Sequence, residues 1–295
     1  MMTESKKTLY IVVDALRSDY VTVGKMPRLT ELANKSVYVQ QVVPSPGFCE
    51  RVEILTGKEN LETGYFTAID RINGQHKNSF LFNAFAFGVS LVRMIESFFK
   101  SYLIFRIRKR FTTIIMRKFW PKYDVPPFNI PLSIYGQFGL SEDAVDQSLP
   151  FAFGVPSVVD RQSERNQSVN FEAFTSLTET SSLLTDEDRM SFIESNFHAS
   201  ADSTFFLYLG QLDAMGHKWG PTSREFIKIL NSFDETLDCF IQKIITAGDF
   251  ELIIIGDHGM SDVTECVDFQ GEVIKEARRL GLNNREDFVV FCDST

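Results

Sequence analysis

The chain has 295 residues, 44% of them hydrophobic, enough to bury one large core with an insertion. Its net charge of −9 argues against general nucleic-acid binding. No apolar run is long enough to span a bilayer and the first residues carry no secretory h-region, so we expect a cytoplasmic chain whose cysteines (Cys49, Cys239, Cys266 and Cys292) are reduced.

In chain order, the first element is Thr8–Val13, an apolar strand that ends on Asp14 and runs on into Ala15-Leu16-Arg17. A helix and a loop follow as far as Gly57. Within residues 91 to 120, Phe98, Phe99, Tyr102, Phe105, Ile107, Phe111, Phe119 and Trp120 alternate with Arg93, Lys100, Arg106, Arg108, Lys109, Arg110, Arg117 and Lys118. A basic helix with large apolar residues suits peripheral contact with an anionic membrane. It equally suits a cap helix whose arginines face an anionic substrate; the cap is favoured because membrane anchors more often lie at a terminus. Pro121, Pro126, Pro127 and Pro131 then break the helix. Residues 157 to 204 are polar and read as partly mobile. His76 and His198 read as surface residues rather than ligands.

The chain then returns to strongly patterned elements. Phe205–Leu209 is a buried-type strand running out to Asp213, with His217 four residues later. One helical turn would put both on one face, although Gly216 makes a tight turn an equal alternative. Phe226, Ile227, Leu230, Phe233, Leu237, Phe240, Ile241 and Ile244 repeat at helical spacing within Thr222–Thr246, a core-packing stripe that Gly248 ends. Glu251–Gly256 reads as a strand buried on both faces and stops on Asp257-His258-Gly259. The chain closes on a strand at Phe288–Phe291.

Strands of this kind with intervening helices predict an α/β fold: a mostly parallel sheet flanked by helices on both faces. Ligands in such sheets sit beyond the carboxyl ends of the strands. A strand-end Asp is usually a helix cap. Three strands delivering Asp14, Asp213 with His217, and Asp257 with His258 at one end point instead to a metal site. The expected organisation is a discontinuous core, 1–60 and 201–295, with a cap over 61–200, a stretch too long for a connecting loop.

Val13-Asp14-Ala15-Leu16-Arg17, Leu212-Asp213-Ala214-Met215-Gly216-His217 and Gly256-Asp257-His258-Gly259-Met260 together resemble the alkaline phosphatase superfamily, in its type I phosphodiesterase and nucleotide pyrophosphatase branch. Met26–Ala33 is similar to that family's early helix, and Leu55-Thr56-Gly57 to the segment after its nucleophile. The resemblance implies two divalent metal ions, zinc or else manganese. Asp14, Asp257 and His258 would surround one, and Asp213 and His217 the other. It also implies a small phosphorylated substrate and hydrolysis of phosphodiester or pyrophosphate bonds through a covalent phospho-enzyme. A phosphotransferase of the same superfamily, or a truncated and inactive binding module, are the alternatives.

Two departures from the family pattern stand out. The nucleophile position of the pyrophosphatase branch falls on Gly47, which has no side chain. In the register of the related cofactor-independent phosphoglycerate mutases, Cys49 takes that place beside Glu50 and Arg51, as nucleophile and metal ligand; Ser45 is the second candidate. A thiolate beside a cation is a competent nucleophile. A sulfatase is disfavoured, because Glu50 and Arg51 follow Cys49 where its motif needs other spacing. The further His that the family supplies to the Asp213 and His217 metal has no counterpart after Met260, which reads as truncation.

Overall fold

The computed structural model describes residues 7–42, 50–67, 69–71, 80–99, 102–119, 138–141, 145–174, 185–265, 267–283, 287–288 and 290. The chain divides into two compact units, Met1–Phe66 with Val145–Val263, and Thr67–Ala144 with Thr264–Thr295.

The first unit is built on a four-stranded parallel sheet of β1 (Lys7–Val13), β4 (Val169–Ala173), β5 (Thr204–Leu209) and β6 (Phe250–Gly256), in the order β4-β5-β1-β6. Period-two alternation sorts the side chains of β1 and β5 between the two faces. Leu9, Ile11 and Val13 of β1 join Phe205, Leu207 and Leu209 of β5 in one apolar cluster. There they meet α1 (Pro27–Asn34), α7 (Asp186–Asn196) and α9 (Arg224–Ala247), through Leu29, Ile193, Phe226, Leu230, Phe233, Leu237 and Phe240. Tyr10 and Val12 of β1 and Phe206 and Tyr208 of β5 point the other way, onto Val52 and Leu55 of α2 (Glu50–Thr56) and onto Phe153 and Phe174. The short helix α3 (Asn60–Thr63) follows α2 in the chain, and α6 (Val158–Ser163) contributes Val158 to the same cluster. An α/β sheet with helices on both faces is therefore what the sequence builds.

Two helices of this unit take their N-terminal caps from elsewhere in the fold. The residue before α1, Met26, has no capping side chain. Instead Asp234 of α9, 1% exposed, accepts the Arg28 and Leu29 N–H groups at 2.9 and 2.8 Å. Asp186 of α7 does the same for α8 (Gln211–Trp219), accepting the Gly210 and Gln211 N–H groups, each at 3.0 Å. Each carboxylate satisfies donors that the helix itself leaves open.

Residues 145–174 and 185–200 lie within the stretch that the sequence assigns to a cap, yet they supply α6, β4 and α7 to the same unit as the sheet. The strand Val169-Asn170-Phe171-Glu172-Ala173 is short and only partly buried, so its pattern does not stand out from the polar segment around it. His198, expected at the surface, is half-buried: its Nε2 lies 3.1 Å from the Ile244 carbonyl and its ring packs edge-on against Phe197.

The second unit contains an antiparallel pair, β2 (Ile69–Arg71) and β3 (Phe138–Leu140), with α4 (Phe80–Phe99), α5 (Tyr102–Phe119) and α10 (Phe269–Arg279). The single helix expected over 91 to 120 is two helices, and the first starts at Phe80. The stretch Phe80–Ser90 extends α4 on mostly apolar residues, with Asn83 and Ser90 among them and without the basic ones that marked the later part. No helix among the described residues is long and apolar enough to cross a membrane. The proline-rich loop and His76 lie outside the described residues, as does all of Phe288–Phe291 except Phe288 and Val290.

Candidate metal centre

Strand register assembles the site. Val13 stands opposite Leu209 on one side and opposite Gly256 on the other, so β1, β5 and β6 end level. The residues that follow, Asp14, the start of α8 and Asp257, leave the sheet side by side. Sequence left open whether Asp213 and His217 lie on a helix; they are on α8, one turn apart.

The crossing of the β1 and β6 loops explains two local features. Ala15 is held at φ +59°, a left-handed conformation that costs a non-glycine residue about 1–2 kcal/mol. Its N–H donates to Asp257 Oδ1 at 3.0 Å, and the same oxygen accepts the His258 N–H at 2.7 Å. Gly256 is required by the same crossing, since a Cβ there would lie 2.2 Å from the Leu16 carbonyl oxygen. Arg17 ties the loops together further along: it donates to the Met260 carbonyl and to Asp19 Oδ1 (2.7 Å) and stacks over Tyr20.

Three side chains converge. Asp14, Asp213 and His258 each present one ligand-type atom, all within 4.8 Å of one another. His258 Nε2 lies 3.0 Å from Asp14 Oδ1. That contact is the largest cause of the raised His258 pKa, and Oδ1 is buried with no further hydrogen-bond donor among the described residues. The other oxygen, Oδ2, accepts the Tyr208 phenol hydrogen. Tyr208 in turn lies under the Arg189 guanidinium, whose Nη1 is 3.2 Å from Asp186 Oδ1. Asp186, Arg189 and Tyr208 thus support both Asp14 and the start of α8.

The grouping differs from the partition that sequence suggested, Asp14 with Asp257 and His258, and Asp213 with His217. Here α8 begins directly after β5, the neighbour of β1, and carries Asp213 over the end of β1. Asp257 has one oxygen turned to the backbone. His217 is 58% exposed, its Nε2 3.4 Å from Asp213 Oδ1. Cys49, Ser45 and Gly47 lie outside the described residues. Glu50, the first residue of α2, is close enough to interact electrostatically with His258 and Asp14.

Acidic groups crowd this pocket at a cost. Burial, and then the charge of Asp14, push Asp257 up to about 6 and raise Asp213 above the usual carboxylate range. Burial also raises Glu50. His258 is raised to about 9, chiefly by its contact with Asp14. Burial and the Asp14 carboxylate push the Tyr208 phenol far above its ordinary range, so it remains a donor. Two carboxylates and an imidazole brought this close together form a donor set that fits a divalent cation.

Residues 8–292 match the family model described as type I phosphodiesterase / nucleotide pyrophosphatase. The chain belongs to that family. A venom phosphodiesterase of Crotalus durissus collilineatus is 36% identical over 63 residues, 20% of this chain and 8% of the relative. Two structures of murine ectonucleotide pyrophosphatase / phosphodiesterase 5, one an inactive variant in complex with AMP, align with a TM-score of 0.54 at 16% identity. The alignment covers 88% of this chain and 59% of those chains. The chain thus spans about three fifths of the length of these structures, and the likeness shows the shared fold.

The support shell of Tyr208, Arg189 and Asp186 is not evident from the sequence. Thr185-Asp186-Glu187-Asp188 does carry a helix-start signature, and Thr185 and Asp188 form a capping box. That signature marks a helix start and says nothing of a second helix capped by Asp186.

Proposed function

We propose that this member of the family is a metal-dependent hydrolase of phosphodiester or pyrophosphate bonds, acting on a small phosphorylated substrate. The convergence of Asp14, Asp213 and His258 at level strand ends carries the reading. These three would hold one divalent ion, with Asp257 next to His258 in the loop, and His217 would serve a second ion. Zinc suits this mixture of imidazole and carboxylate, and manganese is the alternative. When bound, such ions supply positive charge to the phosphoryl oxygens and lower the pKa of the attacking group.

The chain's own residues have separate tasks. Tyr208 holds Asp14 Oδ2, which leaves Oδ1 facing His258 and the ligand cluster. Asp257 fixes the strand-end loops through two backbone N–H groups. Cys49, beside Arg51 and one residue before α2, attacks phosphorus as the thiolate. A sulfur–phosphorus bond forms as the bond to the leaving oxygen breaks, and water then releases the phosphoryl group. One structural relative was determined in complex with AMP, which favours a nucleotide-type ester as substrate here.

The test is release of p-nitrophenolate from bis-p-nitrophenyl phosphate with added Zn²⁺ or Mn²⁺, beside elemental analysis of the protein. Turnover that depends on metal and is lost in Asp14→Asn supports the proposal. No turnover together with no bound metal overturns it. Full activity in Cys49→Ala removes that residue as nucleophile. Phosphoryl transfer to an added alcohol in preference to water would make the chain a transferase.

A further inference from the structure

The two consecutive helices of the second unit each expose one apolar stripe. On α5, Ile107, Phe111 and Ile114 are 61%, 59% and 54% exposed, and their spacing of four and three residues puts them on one face. On α4, Phe87, Leu91 and Met94 repeat that spacing with 68%, 43% and 53% exposure. The side of α5 next to this stripe is turned inward: Thr112 is buried, and Ile104, Arg108 and Ile115 are partly so. At about 100° per residue, exposed Arg106 and Arg110 fall on the strip beside Ile107, Phe111 and Ile114, away from the buried side. Around the helix the order is therefore buried face, exposed apolar strip, basic strip.

Charge decides what this surface fits. The whole chain carries a net charge of −9, whereas α5 holds six Lys and Arg and no acidic residue. A substrate-facing helix would need its arginines turned to a site, with its aromatic residues packed. Here the large apolar side chains are the exposed ones. We propose that α4 and α5 form an interfacial surface for an anionic phospholipid bilayer, the apolar stripes entering the headgroup boundary and Arg106 and Arg110 meeting lipid phosphates. Neither helix crosses the bilayer, in keeping with their composition. The surface is independent of the metal centre, so its failure would leave the hydrolase reading intact.

Co-sedimentation of the full chain with vesicles tests this. Phosphatidylglycerol–phosphatidylcholine vesicles should bind it, pure phosphatidylcholine vesicles should not, and added salt should weaken the binding. Arg106→Gln with Arg110→Gln should lower partitioning by about fivefold per residue removed. Ile107→Ser with Phe111→Ser and Ile114→Ser should abolish it while the circular dichroism spectrum and metal content stay unchanged. Equal binding to both vesicle types, no binding to either, or undiminished binding by the triple variant overturns the proposal. So does a dimer in light scattering that the triple variant dissolves, since the stripe would then cover a second copy.

Discussion

Replacing Tyr208 by Phe removes a single oxygen, and the consequence for metal affinity can be worked out from its contacts. The phenol donates to Asp14 Oδ2, while Oδ1 faces His258 Nε2 at 3.0 Å and Asp14 offers an oxygen within 4.8 Å of ligand atoms from Asp213 and His258. A hydrogen bond to a charged group contributes about 1.5–3 kcal/mol. If that energy serves to orient Asp14, its loss weakens divalent-metal binding by roughly 10- to 100-fold, the range found for groups that orient metal ligands. The ring itself remains, packed against Phe174 and under Arg189, so the fold should survive. Titration calorimetry with Zn²⁺ or Mn²⁺ on both proteins measures the difference, and thermal melting without metal reports stability. A competing effect runs the other way: Asp14 Oδ2, freed from its donor, could itself reach a cation. Unchanged or tighter binding by Tyr208→Phe would therefore refute Tyr208 as a positioning residue.

Other consequences concern the same strand ends and the helices behind them. His258, raised to about 9 without metal, must lose its proton to become a ligand. Proton release should accompany metal binding, and affinity should rise with pH from about 6 to 9; affinity flat across that range, measured in buffers of differing ionisation enthalpy, would exclude His258 as a ligand. The raised pKa values of His258 and Asp257 mean that the native state binds these protons more tightly than the unfolded chain. Metal-free stability should therefore fall as pH rises through about 6 and again through about 9, a trend that denaturant titration at each pH would reveal. Gly256→Ala places a methyl 2.2 Å from a backbone oxygen, so a loss upwards of about 3 kcal/mol in urea unfolding is expected. Asp234→Ala strands the Arg28 and Leu29 N–H groups, one of them in a buried bond, and should cost roughly 2–4 kcal/mol by the same measurement.

The central strands were legible because a parallel strand covered on both faces is a continuous apolar run, and a residue at its end is placed by the strand alone. The strand-end positions of Asp14, Asp257 and His258 were readable for that reason, and so was the α9 stripe. The partners of Asp14 were not. Which side of β5 Tyr208 faces depends on register, and its meeting with Asp14 depends on β5 lying beside β1 rather than β6. The capping of α8 by Asp186 is likewise long-range, joining residues whose local sequence fits an ordinary helix start. β4 was hidden by its shortness and by polar residues such as Asn170 and Glu172, which a peripheral strand tolerates. On α5 the amphipathic mixture was plain, but only exposure distinguishes an apolar face that packs from one left open.

The order of strands in the first sheet has a kinetic consequence. β1 is synthesised before the strands on both its sides, β5 and β6, which begin at Thr204 and Phe250. At about 5–20 residues per second, nearly two hundred further residues take roughly 10–40 s to synthesise. For that interval Leu9, Ile11 and Val13 have neither strand neighbour, and Asp213 and His258 have yet to join Asp14. A circular permutant in which β1 follows β6 would pair its central strand at once, and should give a higher soluble yield than the natural order.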